Sequence, residues 1–161
     1  NATDYVERMA RTKALTVAGD QADADLVVLA ADTIVLLDDD ILGKPADHGT
    51  AMATVARLSG RDHQVITAVC VQRGEVQNLA VVSTSVRFIT LSQAMCQAYL
   101  RTDEPWDKAG GYAIQGVAGA FVSEIHGSYG NVVGLPLAEA RQLLAENGVC
   151  SLLDATTGDE S

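Results

Sequence analysis

An aspartate between two apolar runs is the residue of this chain whose position is best suited to chemistry. Asp32 follows the apolar residues 26–31, and Thr33 and a second apolar run, residues 34–37, come after it. Runs this short and this apolar indicate buried strands. A carboxylate beside buried strands is costly unless it is paired. Asp32 is therefore either a turn or cap acid, which is the common use of aspartate, or a functional carboxylate.

Three lysines form a second group of candidates. Lys13, Lys44 and Lys108 are the only lysines, beside eight arginines. Lysine is a compact point charge that suits phosphate, and arginine here carries the general surface charge. The alternative is a compositional bias that left three lysines by chance. Lys108 has a further alternative, since its neighbour Asp107 could simply pair with it.

Strands and turns are predicted on both sides of Asp32. We expect Asp32 at the end of a core strand, followed by a tight hairpin turn at Asp38-Asp39-Asp40. Gly43-Lys44-Pro45 is expected to form a bend after the hairpin, and this bend carries Lys44. Residues 63–73 and 76–90 alternate apolar and polar side chains around Gly74 and predict a long hairpin. Residues 120–125 predict one more strand.

Four helices are predicted from spacing and capping residues. The first has Asp4 as its N-cap, ends at Gly19, and carries Val6, Ala10, Lys13, Ala14 and Val17 on one face. Lys13 on that face either extends its charge to solvent or reaches a cleft. Residues 48–58 predict a second helix. Residues 91–101, with Ser92 as an early cap, predict a third.

The last helix is predicted to begin with Pro136 at its first position and to end at Gly148, after a loop over residues 127–134. Alternating strands and helices with one long hairpin favour an α/β domain with a mixed sheet and flanking helices. We place that single domain at residues 1–150. Residues 151–161 are expected to be a disordered acidic tail.

Composition excludes several classes of function. The net charge of −10 argues against nonspecific binding to nucleic-acid backbones, which needs clustered cations. No run is apolar and long enough for a membrane, and no signal peptide is visible, so we expect a cytoplasmic protein.

Cys70 and Cys96 are expected to be buried free thiols, as in a reducing cytosol. The three histidines are isolated, which predicts structural or surface roles and no histidine metal cluster.

Neither a G-x-G-x-x-G following a strand nor a G-x-x-x-x-G-K-[ST] occurs, so neither dinucleotide nor P-loop chemistry is supported. Five ordered blocks instead resemble the Maf family of nucleoside triphosphate pyrophosphatases, which are related in fold to the inosine triphosphate pyrophosphatases. The resemblance extends from about residue 5 to 148. The blocks are Ala31-Asp32-Thr33, Gly43-Lys44-Pro45, residues 58–61, residues 107–116 and residues 127–137.

The resemblance implies a mixed sheet with a cleft between two lobes, and a reaction that releases nucleoside monophosphate and pyrophosphate. Asp32 would orient or deprotonate the attacking water, directly or through a metal. Lys13, Lys44 and Lys108 would bind phosphate oxygens. A divalent cation, Mg²⁺ or Mn²⁺, would neutralise the remaining charge, with Asp32 as a candidate ligand.

Base specificity is implied by two further positions. Thr33 and the pair Ile114-Gln115 resemble the subgroup that acts on dTTP and UTP, whereas the 7-methyl-GTP subgroup has an acid at the position of Gln115. A neutral amide can both donate to a pyrimidine carbonyl and accept from its ring N–H. A methylated guanine is cationic and favours a carboxylate. The alternative is that Gln115 is a solvent-facing loop residue.

The resemblance also implies a preceding strand with a Ser-x-Arg-Arg motif that faces the triphosphate, and the sequence from Asn1 onward lacks that motif. We therefore expect slow hydrolysis, or none, by a chain that begins at Asn1. Two alternatives to a dTTP/UTP house-cleaning enzyme stay open: a nucleotide-binding regulator of septum formation, and a 7-methyl-GTP pyrophosphatase. The sequence does not fix the oligomeric state, and a homodimer is compatible with it.

Overall fold

A computed structural model describes residues 1–19 and 25–154 of the chain. The strands and α-helices are α1 (Ala2–Gly19), β1 (Val27–Leu37), β2 (Asp40–Leu42), α2 (His48–Leu58), β3 (Asp62–Arg73), β4 (Val76–Phe88), α3 (Gln93–Tyr99), β5 (Val122–His126), α4 (Tyr129–Val133) and α5 (Leu137–Glu146). Short 3₁₀ turns occupy Glu104–Asp107, Ala109–Gly111, Val117–Phe121 and Leu152–Asp154.

The strands form one sheet in the order β2-β1-β3-β4-β5, with helices packed against it. The predicted α/β class is confirmed. The sheet differs in one detail, because every pairing among the described strands is antiparallel and none is parallel. Both hairpins impose that direction, and the connection through α2 crosses to the far side of β1, so that β3 also runs against β1.

Asp32 lies within β1 rather than at its end, which corrects the prediction. The strand continues because β3 pairs with it on both sides of the aspartate: Ala31 faces Val69, Asp32 faces Ala68 and Thr33 faces Thr67. The two apolar runs are thus one long strand interrupted by a polar pair. The hairpin after it is confirmed, with Leu37 opposite Asp40 and a positive φ of 56° at Asp38. The long β3–β4 hairpin is confirmed as well.

Three apolar clusters cover the two faces of the sheet. On one face, α1 buries Val6, Ala10 and Ala14 against residues of β1 and β3. On the other face, α2 and α3 pack near Val35, and α5 packs against Val69 and Val71. Alternate residues of β1 therefore belong to different clusters, as the period of two in a strand requires.

Two predictions for α1 are wrong. The residue that caps the helix is Asn1, whose side-chain oxygen accepts the N–H of Asp4 at 2.9 Å, while the Asp4 carboxylate accepts from the Asn1 amine at 3.3 Å. The helix therefore begins earlier than an N-cap at Asp4 allows. Val17 is 49% exposed and lies off the buried face, because the sheet side of the helix is already occupied by the smaller alanines.

The remaining helices need smaller corrections. The structure places α2 where it was predicted, and Asp47 caps it through the N–H of Thr50. Ser92 caps α3, which is shorter than predicted. The predicted loop 127–134 contains the short helix α4, because the Ser128 hydroxyl accepts the N–H of Asn131. Pro136 is the N-cap residue of α5 rather than its first helical residue.

Cys70 and Cys96 are buried free thiols, as predicted, and burial raises the pKa of each. Of the proposed tail, residues 152–154 form a 3₁₀ turn and residues 155–161 lie outside the described part of the chain. Among the described helices, none has the length and apolar character needed to cross a membrane.

Candidate functional site

A cavity of about 310 Å³ opens beside the middle of β1. Its walls include all six residues that the sequence nominated as site residues. The structure therefore brings these six residues together, and their chemical roles stay predictions. The cavity is lined by Lys13, Ala31, Asp32, Thr33, Val35, Lys44, Val65, Asp107, Lys108, Ala109, Tyr112, Ala113, Ile114, Gln115, Val132 and Val133.

The free edge of β1 explains how side chains from both faces of the sheet reach one cavity. The strand β2 pairs only with Val35–Leu37 of β1, so among the described strands nothing pairs with that edge from Val27 to Ile34. Asp32 and Thr33 are neighbours and point to opposite faces. Residues of both faces nevertheless line the cavity, Asp32 from one and Thr33 from the other.

Asp32 is held by a lysine from α1. The Lys13 ammonium nitrogen lies 2.6 Å from Asp32 Oδ1 and also donates to the Ala31 carbonyl at 3.2 Å. The Asp32 side chain is 16% exposed, whereas that of Lys13 is 49% exposed. Because a nearly buried carboxylate needs a partner, Lys13 stabilises the charged Asp32. Among the described residues, the Asp32 side chain accepts this hydrogen bond through Oδ1, and Asp32 lines the cavity.

A second ion pair lies in the wall of the cavity. Lys44 contacts Asp107 Oδ1 at 2.6 Å, and both side chains are well exposed. The hydrogen bond from Lys44 is the main reason that the pKa of Asp107 is lowered, with a smaller contribution from the charge of Lys108. Asp107 thus pairs with Lys44 rather than with its neighbour Lys108. Sequence reasoning did not assign Asp107 to the site, although it lies inside a recognised block.

Thr33 is anchored in a buried polar network. Its hydroxyl lies 2.9 Å from the hydroxyl of Thr67, the residue opposite it on β3. Thr67 is fully buried and donates to the backbone carbonyl of Asn131 at 3.1 Å. The Asn131 side chain donates to the Val65 carbonyl and to Thr84. Sequence reasoning missed Thr67 and Asn131; a threonine opposite Thr33 in a buried strand was the available signal.

Gln115 lies on a loop that the Glu104 carboxylate helps to hold. Glu104 Oε1 accepts from the N–H groups of Ala113 and Ala118 at 3.2 and 3.1 Å and from the Tyr99 hydroxyl at 3.0 Å. Its Oε2 accepts the N–H of Val117 at 2.5 Å. Gln115 is exposed and yet lines the cavity. Glu104 was not among the predicted residues, because its four partners become neighbours only in the folded loop.

His63 ties this loop to the sheet. The ring Nε2 is 2.8 Å from the hydroxyl of Tyr112, and the two rings pack edge to face with Phe88 between strands and loop. His63 is 2% exposed, and burial lowers its pKa to about 4. The prediction of a structural histidine is therefore confirmed. Burial also raises the pKa of Tyr112, which keeps its hydroxyl protonated beside the cavity.

The donor set is compatible with a magnesium ion that shares its ligands with a substrate. No cluster of three or more His, Cys, Asp or Glu residues exists in residues 1–19 and 25–154. Mg²⁺ does not need such a cage, because it usually takes one or two carboxylates and completes its shell with phosphate and water oxygens. Asp32 offers an oxygen for this purpose at the cavity wall.

Comparison with known proteins identifies the family of the chain. The family model described as "Maf-like protein" matches residues 1–147. The chain belongs to the Maf family. Among its Maf relatives, a protein from Shewanella sp. (strain MR-7) named "dTTP/UTP pyrophosphatase" is 48% identical over 147 residues, which are 91% of this chain and 76% of that relative.

Two further relatives carry the same name. The protein of Anaeromyxobacter dehalogenans (strain 2CP-1 / ATCC BAA-258) is 52% identical over 149 residues, which cover 90% of this chain and 74% of the relative. The protein of Symbiobacterium thermophilum is 48% identical over 145 residues, with 90% and 74% covered. The cavity of this Maf protein lies within the matched residues, so the site belongs to the shared part of the fold.

Proposed function

We propose that this chain hydrolyses dTTP and UTP to the nucleoside monophosphate and pyrophosphate. The observation that carries the proposal is the convergence of Asp32, Thr33, Gln115 and all three lysines on one cavity, in a chain about half identical to proteins named dTTP/UTP pyrophosphatase. An acidic chain with three lysines gathers them where a polyanion would need them.

The charged part of the cavity is the proposed phosphate site. Lys13 and Lys44 are each paired with a carboxylate in this structure. A triphosphate carries several negative charges and competes with those carboxylates for the ammonium groups. Lys108 supplies a third cation from the extended residue between two 3₁₀ turns. Phosphoryl transfer depends mainly on positioning and charge stabilisation, and this arrangement of cations favours both.

Asp32 is the proposed general base. It is mostly buried and paired with Lys13 through Oδ1, and its other oxygen would accept the proton of an attacking water. Asp32 would also hold the divalent ion, Mg²⁺ or Mn²⁺, together with phosphate oxygens. Such an ion would neutralise negative charge on the phosphates. We expect the protein to act in the cytoplasm.

The uncharged part of the cavity is the proposed base site. Val35, Val65 and Val132 offer apolar contact for a flat ring, and Thr33 and Gln115 offer hydrogen bonds. The amide of Gln115 can donate an N–H to a carbonyl of the pyrimidine. This neutral lining supports a pyrimidine over the cationic 7-methylguanine, for which a carboxylate would be the fitting partner.

The test measures pyrophosphate release with Mg²⁺ from dTTP, UTP, 7-methyl-GTP and ATP, alongside binding of each nucleotide by calorimetry. We expect dTTP and UTP to be preferred in both readouts. Gln115→Glu should erode the preference, whereas the exposed Gln142→Glu on α5 serves as a control that leaves it unchanged. Equal rates for the four nucleotides, or a preference for 7-methyl-GTP, would overturn the assignment of the base.

A further inference from the structure

The direction of the hydrogen bonds behind Thr33 follows from counting protons. Thr67 has one hydroxyl hydrogen, and the Asn131 carbonyl at 3.1 Å can only accept. If Thr67 donated its hydrogen elsewhere, the lone pairs of Thr67 Oγ1 and of the Asn131 carbonyl oxygen would face each other at 3.1 Å. In a fully buried site such a contact is costly. Thr67 therefore gives its hydrogen to Asn131.

The hydrogen of Thr33 is fixed by the same argument. Its hydroxyl oxygen is 2.9 Å from Thr67 Oγ1. The one hydroxyl hydrogen of Thr67 is already donated to the Asn131 carbonyl oxygen. Thr33 must be the donor of this pair. Its hydrogen then points into the protein, and its Oγ1 presents only lone pairs to the cavity that it lines.

Neighbouring side chains place this acceptor in the apolar part of the cavity. Thr33 and Val35 share one face of β1, and their partners on β3 are Thr67 and Val65. Val132 of α4 lines the cavity beside them. Asp32 and Lys13 lie on the opposite face of β1. The lone pairs of Thr33 therefore face the position proposed for the base rather than the phosphates.

We propose that Thr67 is a positioning residue that makes Thr33 an obligate hydrogen-bond acceptor, so that the site selects a base with an N–H at the position facing Thr33. Uracil and thymine carry such a ring N–H, whereas cytosine carries a lone pair at the same ring nitrogen. A cytosine would place its lone pair against those of Thr33. This inference rests on the proposed function and extends it to the rejection of CTP.

The experiment compares kcat/KM for UTP and CTP, which are almost equal in size, in the wild-type protein, Thr67→Val and Thr67→Ser. Thr67→Val keeps the volume but removes the acceptor, so the hydroxyl of Thr33 can turn and donate to cytosine. We expect the wild-type protein to prefer UTP by about tenfold or more, the scale of one buried hydrogen bond. Thr67→Val should narrow that ratio by about threefold or more, mainly through faster use of CTP.

Thr67→Ser is the matched control, because it keeps the hydroxyl and should keep the wild-type ratio. A merely structural role of Thr67 would lower the melting temperature of Thr67→Val without changing the ratio. An unchanged UTP/CTP ratio in Thr67→Val, or an equal change in Thr67→Ser, would overturn the inference while UTP hydrolysis stands.

Failure of the proposed function is a separate outcome, seen as no pyrophosphate release from UTP by the wild-type protein. The same ratio is then measured as relative binding affinity for UTP and CTP. Preferential UTP binding that Thr67→Val narrows supports the inference, and equal binding of the two nucleotides overturns it.

Discussion

The strand side of the cavity, formed by Asp32, Thr33, Val35 and Val65, and its loop side, formed by Lys44 and residues 107–115, are held in different ways. On the strand side, β1 pairs with β3 continuously from Val27 to Leu36. On the loop side, a few contacts set the backbone: the Glu104 carboxylate, the bond between His63 and Tyr112, and the close approach of Gly110 to Val35.

The difference has a consequence for substitutions. A strand distributes the positioning of each side chain over many ladder hydrogen bonds, so a conservative change there alters chemistry without moving neighbours. A loop held by single contacts transmits a change at one contact to every residue it carries. Substitutions that never touch a nucleotide should therefore disturb the loop side and leave the strand side in place.

The largest expected effect is that of Gly110→Ala. Gly110 has a φ of +68°, and an added Cβ would lie 2.9 Å from the side chain of Val35. The left-handed conformation costs about 1–2 kcal/mol and overpacking about 1–3 kcal/mol. We expect a loss of about 2–5 kcal/mol in the free energy of unfolding by urea. Gly43→Ala, with nothing within 4 Å of the new Cβ, is the control. Equal losses in the free energy of unfolding for the two variants would contradict the close packing of Gly110 against Val35.

The second effect is a pH dependence of stability from His63. Its folded pKa of about 4 lies below the ordinary value of 6.5 because it is buried. The unfolded chain therefore binds the extra proton between these values, and stability is full above pH 6.5 and falls as the pH decreases towards 4. The shift corresponds to about 3 kcal/mol.

Urea unfolding of wild-type protein and His63→Gln across pH 4.5–7.5 measures this contribution. The variant cannot titrate at this position and should lose the slope that the wild type has below pH 6.5. His126→Gln, an exposed histidine on β5, should keep it. Parallel curves for wild type and His63→Gln would show that His63 is not buried in its neutral form.

The third effect concerns Glu104→Gln. Three backbone N–H groups point at this carboxylate, and an amide would turn its NH₂ group towards at least one of them. Losing one charge-assisted hydrogen bond costs about 1.5–3 kcal/mol. We expect lower stability and a weaker preference for dTTP, because Gln115 is displaced. Glu75→Gln in the exposed β3–β4 turn controls for the loss of one negative charge. An unchanged base preference in Glu104→Gln would show that the position of this loop does not determine base specificity.

The smallest effect is that of Lys44→Ala on nucleotide affinity. The side chain is 63% exposed, so the loss should be near the low end for a charge-assisted contact, about tenfold in Kd. Arg57→Ala removes a cation that pairs with Asp40 outside the cavity and should leave Kd unchanged. Calorimetric titration with dTTP measures both, and equal affinity of Lys44→Ala and wild type would remove Lys44 from the proposed phosphate site.

Sequence patterns predicted the strand side better than the loop side. Periodicity and turn residues identified both hairpins and α2, and the resemblance identified the six residues around the cavity. What local pattern could not supply were contacts between distant segments. Lys44 and Asp107 are separated by 63 positions, and Thr67 and Asn131 by 64. The continuation of β1 through Asp32 also depends on β3 and Lys13, neither of which is adjacent in sequence.

The most direct test of the proposed site is pyrophosphate release from dTTP with Mg²⁺ by the wild-type protein and Asp32→Asn. The substitution is nearly isosteric and should leave the fold intact. Because a positioned base contributes about 10²–10⁴-fold to a rate, we predict that Asp32→Asn lowers release by at least about a hundredfold. Asp39→Asn in the exposed hairpin turn should release pyrophosphate at the wild-type rate. Release by Asp32→Asn within about threefold of wild type, far short of the contribution of a base, would contradict the account.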